Sequence, residues 1–254
     1  VSSTKNVRRV RKLDIPKSSI QNLPEETIAV LAALSFAISE VNALWRMYDS
    51  CKFRTTGNED VDSAISIQQN LVLRIWSAKI FELSDELDVK IEDVALKDFL
   101  TKAKEKLLEG GGVALKSIVR NFRHETTNHL NVSHIKKKHL GHVSTAASTS
   151  FYFDERDANS YFPFGEEVVF AGCFNRTVGS RPKGERLPAF ADWVSWILRA
   201  SKALMPLFDE FLQEFVFKGR EQPSWQWIEL ELRPGMIAGA GEQKVPLIIV
   251  EEAI

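Results

Sequence analysis

Apolar residues recur at helical spacing over most of the chain. Pro24 with Glu25 and Glu26 reads as a helix start, because proline suits the first turn and acids favour its positive dipole end. Ile28, Leu31, Leu34, Ile38, Val41, Trp45 and Tyr48 then follow three and four apart, the stripe of one long helix. Gly57 and Asn58 interrupt it, and a second helix is expected from near Asp60. Its apolar positions (Ala64, Ile65, Leu71, Val72, Ile75, Trp76, Ile80, Phe81) cover more than half the circumference, which predicts burial between neighbours. Asp88 closes that run. A third helix from about Glu92 carries Leu96, Phe99, Leu100, Ala103 and Leu107 and stops at Gly110, Gly111 and Gly112. A fourth is expected over 113–130. A fifth, over 190–217, shows Trp193, Ile197, Leu204, Phe208, Phe211 and Phe215 on one face, with Pro206 placed to kink it.

Elsewhere the period changes. Residues 132–187 read as an irregular insertion, with a Ser/Thr-rich stretch at 144–150 and an aromatic group of Phe151, Tyr152, Phe153, Tyr161, Phe162 and Phe164. Residues 167–170 suggest a short strand. Near the end, Trp225, Trp227, Glu229, Glu231 and Arg233 alternate with Ile228, Leu230 and Leu232, a period of two that predicts a strand, and 245–250 is a second candidate. The expected fold class is mainly α: a bundle of about five long helices with a small C-terminal β element, in a single domain. Its parts are a basic arm (1–22), a helical core (23–131), the insertion (132–187), and a long helix with short strands (188–254). There is no internal repeat.

Composition narrows the function classes only a little. The chain has 254 residues, 44% hydrophobic, enough to bury one sizeable core. Its formal net charge of −1 argues against a globally basic nucleic-acid binder and leaves room for local patches. One such patch is the arm, with Lys5, Arg8, Arg9, Arg11, Lys12 and Lys17, which reads as a solvated or edge-strand segment or as a phosphate-contacting one. Two distant cysteines, Cys51 and Cys173, point to a reducing compartment, and a cytoplasmic location is expected. Residues 1–12 show no signal peptide. The strongest apolar run, 28–38, contains Ser35 and is about half the ~20 residues a spanning helix needs, so a core helix and no membrane association are expected.

All five histidines fall between positions 124 and 142. His124, His129, His134 and His139 are five apart, a turn of about 140° per step on an α-helix, so they do not line one side. His139 and His142 alone have useful ligand spacing, without a nearby cysteine or paired acid, and no metal site is expected. On the helix carrying the first two, Leu115, Ile118, Val119, Phe122, Thr126 and Leu130 form the less polar face. Arg123 and His129 border it, while Arg120, Asn121, His124, Glu125 and Asn128 fill the other side. A guanidinium and an imidazole bordering an apolar seam suit contact across a dimer interface.

The segment Arg123-His124-Glu125-Thr126-Thr127-Asn128-His129 resembles the signature of the HEPN superfamily, an arginine followed after four to six residues by a histidine. The resemblance covers roughly residues 25–131 and rests on that short pattern, with a looser likeness to the abortive-infection type U branch. It implies an all-helical, dimeric protein of a prokaryotic defence or toxin–antitoxin system that cleaves RNA without metal, with RNA, a second copy and an antitoxin as partners. Arg123 and His129 would be the catalytic pair. RNA brings its own nucleophile, the 2′-hydroxyl, and a histidine of near-neutral pKa can move that proton or protonate the leaving oxygen. Arginine matches phosphate geometry and stabilises developing charge. Asn128 or His124 would orient the phosphate.

The remaining candidates are plainer. Lys136, Lys137 and Lys138 read as a solvated turn and, beside a catalytic motif, as contacts to an RNA backbone together with Arg120. The aromatic group at 151–164 is expected to pack over the helices, with base stacking or a lid over a small-molecule site as other uses. Trp225 and Trp227 are expected to cover the sheet or helix ends. Gly110 to Gly112 lack the Lys-Ser/Thr of a phosphate loop and read as a linker, and 179–184 is a basic loop. No Gly-x-Ser-x-Gly or HExxH pattern occurs, and no cofactor is expected. The alternative to a ribonuclease is a non-catalytic helical interaction or small-molecule-sensing module in which Arg123 and His129 are structural, apart or saturated by internal partners.

Overall fold

Four long helices carry the core of this computed structural model: α2 (Glu25–Cys51), α3 (Glu59–Glu86), α4 (Val94–Leu108) and α9 (Lys183–Phe211). The structure describes residues 6–51, 55–127, 132–142, 151–154, 159–178, 183–220, 223–232, 237 and 245–246. The mainly α class with a small β element is as expected. Between the long helices lie β1 (Asn6–Leu13), α1 (Lys17–Gln21), α5 (Gly112–Asn121), α6 (Val132–His134), α7 (Pro163–Gly165) and α8 (Gly172–Thr177), and β2 (Trp225–Leu232) follows α9.

Helix α3 is central, packing against α2, α4, α5 and α9. Its wide apolar surface explains this: Ile65, Val72, Leu73, Trp76, Ile80 and Leu83 are all buried. Trp76 is fully buried, and its indole N–H donates to Ser201 Oγ of α9 at 2.9 Å, so the deepest ring leaves no unsatisfied donor there. Trp196 of α9 donates to the Leu107 carbonyl at 3.0 Å, satisfying an acceptor that the end of α4 leaves open. Asn58, read as a break, is the N-cap of α3: its side chain accepts from the amides of Asp60 and Val61. Asp93 caps α4 in the same way through Leu96. Gly110 takes φ +69° in the α4–α5 turn, a left-handed conformation that glycine adopts without strain.

Helix α2 fits its expected bounds closely, with Val30, Leu34, Ile38 and Val41 buried. Among the described residues it is the one helix long and apolar enough to cross a membrane, with mean hydropathy 1.7 over 18 residues. A third of that window is buried inside the bundle, against α3 and α9.

Three expectations need correction. The stretch 132–187 is irregular at 151–154 and 159–162 but otherwise mostly helical where it is described. It is helical from α6 through π-helical Ile135–His139 to Leu140–His142, and again from α7 through π-helical Glu166–Ala171 into α8. Residues 167–170 lie in that π-helical turn and not in a strand, because Val168, Phe170, Cys173 and Phe174 present a helical face to the core. Helix α9 begins at Lys183, earlier than expected, runs through Pro206 without interruption and continues as π-helical Leu212–Val216. Strand β2 matches its expectation, but its partner is the N-terminal arm: β1 and β2 pair antiparallel, with Leu13 opposite Trp225 and Asn6 opposite Leu232. Of the candidate strand 245–250, residues 247–250 lie outside the described residues.

Candidate functional site

The segment bearing the Arg–His motif is not one straight helix. It starts as α5 and passes into π-helical Phe122–Thr127. There i→i+5 bonding widens the turn, a feature frequent at functional positions. Among the described residues, three of the four π-helical segments, Phe122–Thr127, Ile135–His139 and Glu166–Ala171, pack together around α8. Aromatic rings join the first and third of these segments to α8 and α9. Phe122 is fully buried, with ring centroids 5.1 Å from Phe170, 6.3 Å from Phe174 and 5.0 Å from Trp193. This anchor makes the polar residues on either side of Phe122 face outward or into the seam with α8.

Arg120 and His124 are exposed on the outer surface. Arg123 is about a quarter exposed and its Nη1 donates to Asp85 Oδ2 at 3.1 Å, at the end of α3. One of its five donors is therefore committed, and the fork is held in place beside solvent. Glu125 turns inward. Its side chain is 9% exposed, bridges to Arg176 of α8 and lies 3.5 Å from Lys138 Nζ. The Cys173 thiol donates to the same carboxylate at 3.6 Å. Burial and the Glu125 charge together push the Cys173 thiol up to about 12. Asn121 donates to Thr177 Oγ1 at 3.0 Å, and Thr177 Oγ1 donates to the Cys173 carbonyl, a second tie between the motif and α8.

Lys136 and Lys137 are exposed on the π-helical turn after α6, and Lys138 is half exposed while paired to Glu125. Thus the structure brings Arg120, Arg123 and His124 and the three lysines onto neighbouring elements, and it spends part of Lys138 and Arg123 on internal carboxylates. His129 and Asn128, the other expected catalytic and phosphate-orienting residues, lie outside the described residues. Among the described residues no group of three or more His, Cys, Asp or Glu is arranged to hold a metal.

A second ion pair borders the seam. Arg74 of α3 and Glu166 lie 3.1 Å apart with side chains 11% and 16% exposed, and the Arg74 guanidinium sits 5.3 Å over the Phe170 ring. Burial raises the Glu166 carboxyl above its ordinary value, against the opposing pull of Arg74. Sequence reasoning missed Glu125, Arg176, Arg74 and Glu166. Their one signal was an isolated charge within an otherwise apolar helical stretch, visible for Arg74 between Val72, Leu73 and Trp76.

The aromatic group of the insertion does not behave as expected. Phe151, Phe153, Phe162 and Phe164 touch one another and remain 38–79% exposed. Tyr152 and Tyr161 stack at 4.3 Å and tie the segment to α3 through Asp60. Trp225 and Trp227 lie on a face of the two-stranded sheet, stacked with Arg11 and Arg9, and stay 45% and 60% exposed. Comparison with family models, curated proteins and solved structures finds no match to this chain.

Proposed function

We propose that this chain is a HEPN-like RNA-binding protein with metal-independent endoribonuclease activity, acting in a prokaryotic defence or toxin–antitoxin setting as a homodimer. The observation that carries the reading is the placement of the Arg-x5-His segment. Its residues 123–127 sit on a π-helical turn whose buried side is fixed by Phe122 and Glu125, leaving Arg120, Arg123 and His124 toward solvent, with Lys138 of the π-helical turn after α6 3.5 Å from Glu125. A solvent-facing guanidinium suits capture of a phosphodiester, and His129 would move the proton of the 2′-hydroxyl or of the leaving oxygen. Cytoplasmic location and an antitoxin or other protein partner belong to the same proposal.

The Arg123–Asp85 ion pair favours a second reading, a non-catalytic helical interaction module in which Arg123 braces α3 against the motif turn. An RNA cleavage assay in EDTA separates the two. Under the first reading the wild type cleaves, and Arg123→Ala and His129→Ala each lower the rate by roughly 100-fold or more, the scale of losing an acid–base or charge-stabilising group. Asp85→Asn frees the guanidinium and is expected to leave cleavage intact or raise it. Folded wild-type protein that cleaves no RNA, with Asp85→Asn and Arg123→Ala both destabilised, supports the module.

A further inference from the structure

Strands β1 and β2 form a two-stranded ribbon whose pairing is almost wholly with each other. An isolated pair of strands is marginal in water, because it has two open edges and no second layer. Here neither face is closed. Val7, Trp225, Trp227 and Leu230 are all at least 40% exposed. The register sorts the side chains into two faces, since alternate residues point to opposite sides. On one face Arg9 and Arg11 of β1 lie across from Glu229 and Trp227 of β2, with Leu13 across from Trp225. Guanidinium and indole are already stacked there. Arg11 sits 4.4 Å over the Trp225 ring and Arg9 5.1 Å over the Trp227 ring. The other face adds Arg8 and Lys12 along the same strand.

Charge selects the occupant. β1 carries four exposed cations in eight residues, Arg8, Arg9, Arg11 and Lys12. Pairing β1 with β1 of a second copy would set those cations against their equivalents, so the charge pattern disfavours self-association at this edge. The carboxylates of β2, Glu229 and Glu231, lie across from Arg9 and Val7, away from the end of that face where Arg11 and both indoles meet. A polyanion with flat apolar groups matches that end. Its phosphates meet the guanidinium groups of Arg9 and Arg11, and its bases meet indole faces that are half open.

We propose that the ribbon is a binding platform for single-stranded nucleic acid, with Trp225 and Trp227 stacking bases and Arg9 and Arg11 contacting phosphates. This combination of aromatic faces and a cationic track is how sequence-tolerant single-strand binding works. The platform is separate from the Arg–His motif and stands whether or not that motif cleaves RNA.

Anisotropy titration of labelled oligo(U) and oligo(dT), with a duplex of the same length as control, tests the platform. The wild type should bind the single strands in preference to the duplex, with affinity falling as salt rises. Each neutralised phosphate adds a log–log slope of about −0.7, so Arg9→Ala/Arg11→Ala should flatten the slope by roughly 1.4. Trp225→Leu/Trp227→Leu should weaken binding roughly tenfold or more, whereas Trp225→Phe/Trp227→Phe, which keeps ring faces and strand propensity, should bind within a few-fold of wild type. No binding by the folded wild type, preference for duplex, or equal binding by both ribbon variants would overturn the proposal.

Discussion

Glu125 shows how a single residue can be misplaced by pattern alone. On a helical wheel it falls among Arg120, His124 and Asn128, the polar side of the motif, and it looks solvated. In the fold the α6–α8 region returns over that side, and Glu125 becomes the acceptor for Arg176, Lys138 and the Cys173 thiol. The same burial governs thiol chemistry. Cys173 is fully buried with its thiol held up to about 12, and Cys51 is 2% exposed with its thiol also raised by burial. Thiolate is the reactive form, so neither should react quickly. Titration with a disulfide reagent should find no fast thiol in native protein and both thiols after denaturation. A fast native thiol would contradict the packing of α8 on the motif turn. Cysteine spacing indicated only that the two would not pair; their inertness follows from what covers them.

At the scale of elements, the long helices were legible and the π-helical turns were not. Helices α2, α3 and α4 declare themselves because three- and four-residue spacing and their caps lie within the local sequence. The widened turn at Phe122–Thr127 depends on Phe122 meeting Phe170 and Trp193, which come from distant parts of the chain. Arg74 and Glu166 join α3 to that region, 92 positions apart in the sequence. Removing one partner leaves the other buried and uncompensated. Arg74→Ala and Glu166→Ala should each destabilise the protein by roughly 3–5 kcal/mol, and Arg74→Met/Glu166→Leu by clearly less than the sum. Urea unfolding of the four proteins checks this, and additive losses would show that the pair does not act as a unit. The pH dependence has a definite sign. A carboxyl raised by burial binds its proton more tightly in the native state, so the contribution of Glu166 to stability falls as pH rises from the ordinary carboxylate range through its raised value. Glu166→Gln should remove that fall from the pH profile of the urea midpoint.

For the whole molecule, the outward side of α2 bears on assembly. Ala29, Ala32 and Ala33 are exposed, Phe36 is 66% exposed, and an apolar cleft of about 300 Å3 lies alongside, among Ala29, Ala33, Leu83, Leu87 and Ile91. In the proposed homodimer Phe36 of each copy would fill the cleft of the other, a self-complementary arrangement. Light scattering should then give about twice 28.7 kDa for the wild type and a monomer for Phe36→Glu with unchanged helicity. A wild-type monomer at high concentration would refute the dimer. By itself the sequence determined the helical class, the positions of α2, α3 and α4, the strand at 225–232 and the Arg-x5-His pattern, because each rests on periodicity or caps within a few turns of chain. Tertiary structure alone decided that the N-terminal arm pairs with that strand, that Glu125 turns inward, that Arg123 meets Asp85 and that Trp225 and Trp227 stay open. Those outcomes depend on contacts between residues tens to hundreds of positions apart, which no local pattern encodes.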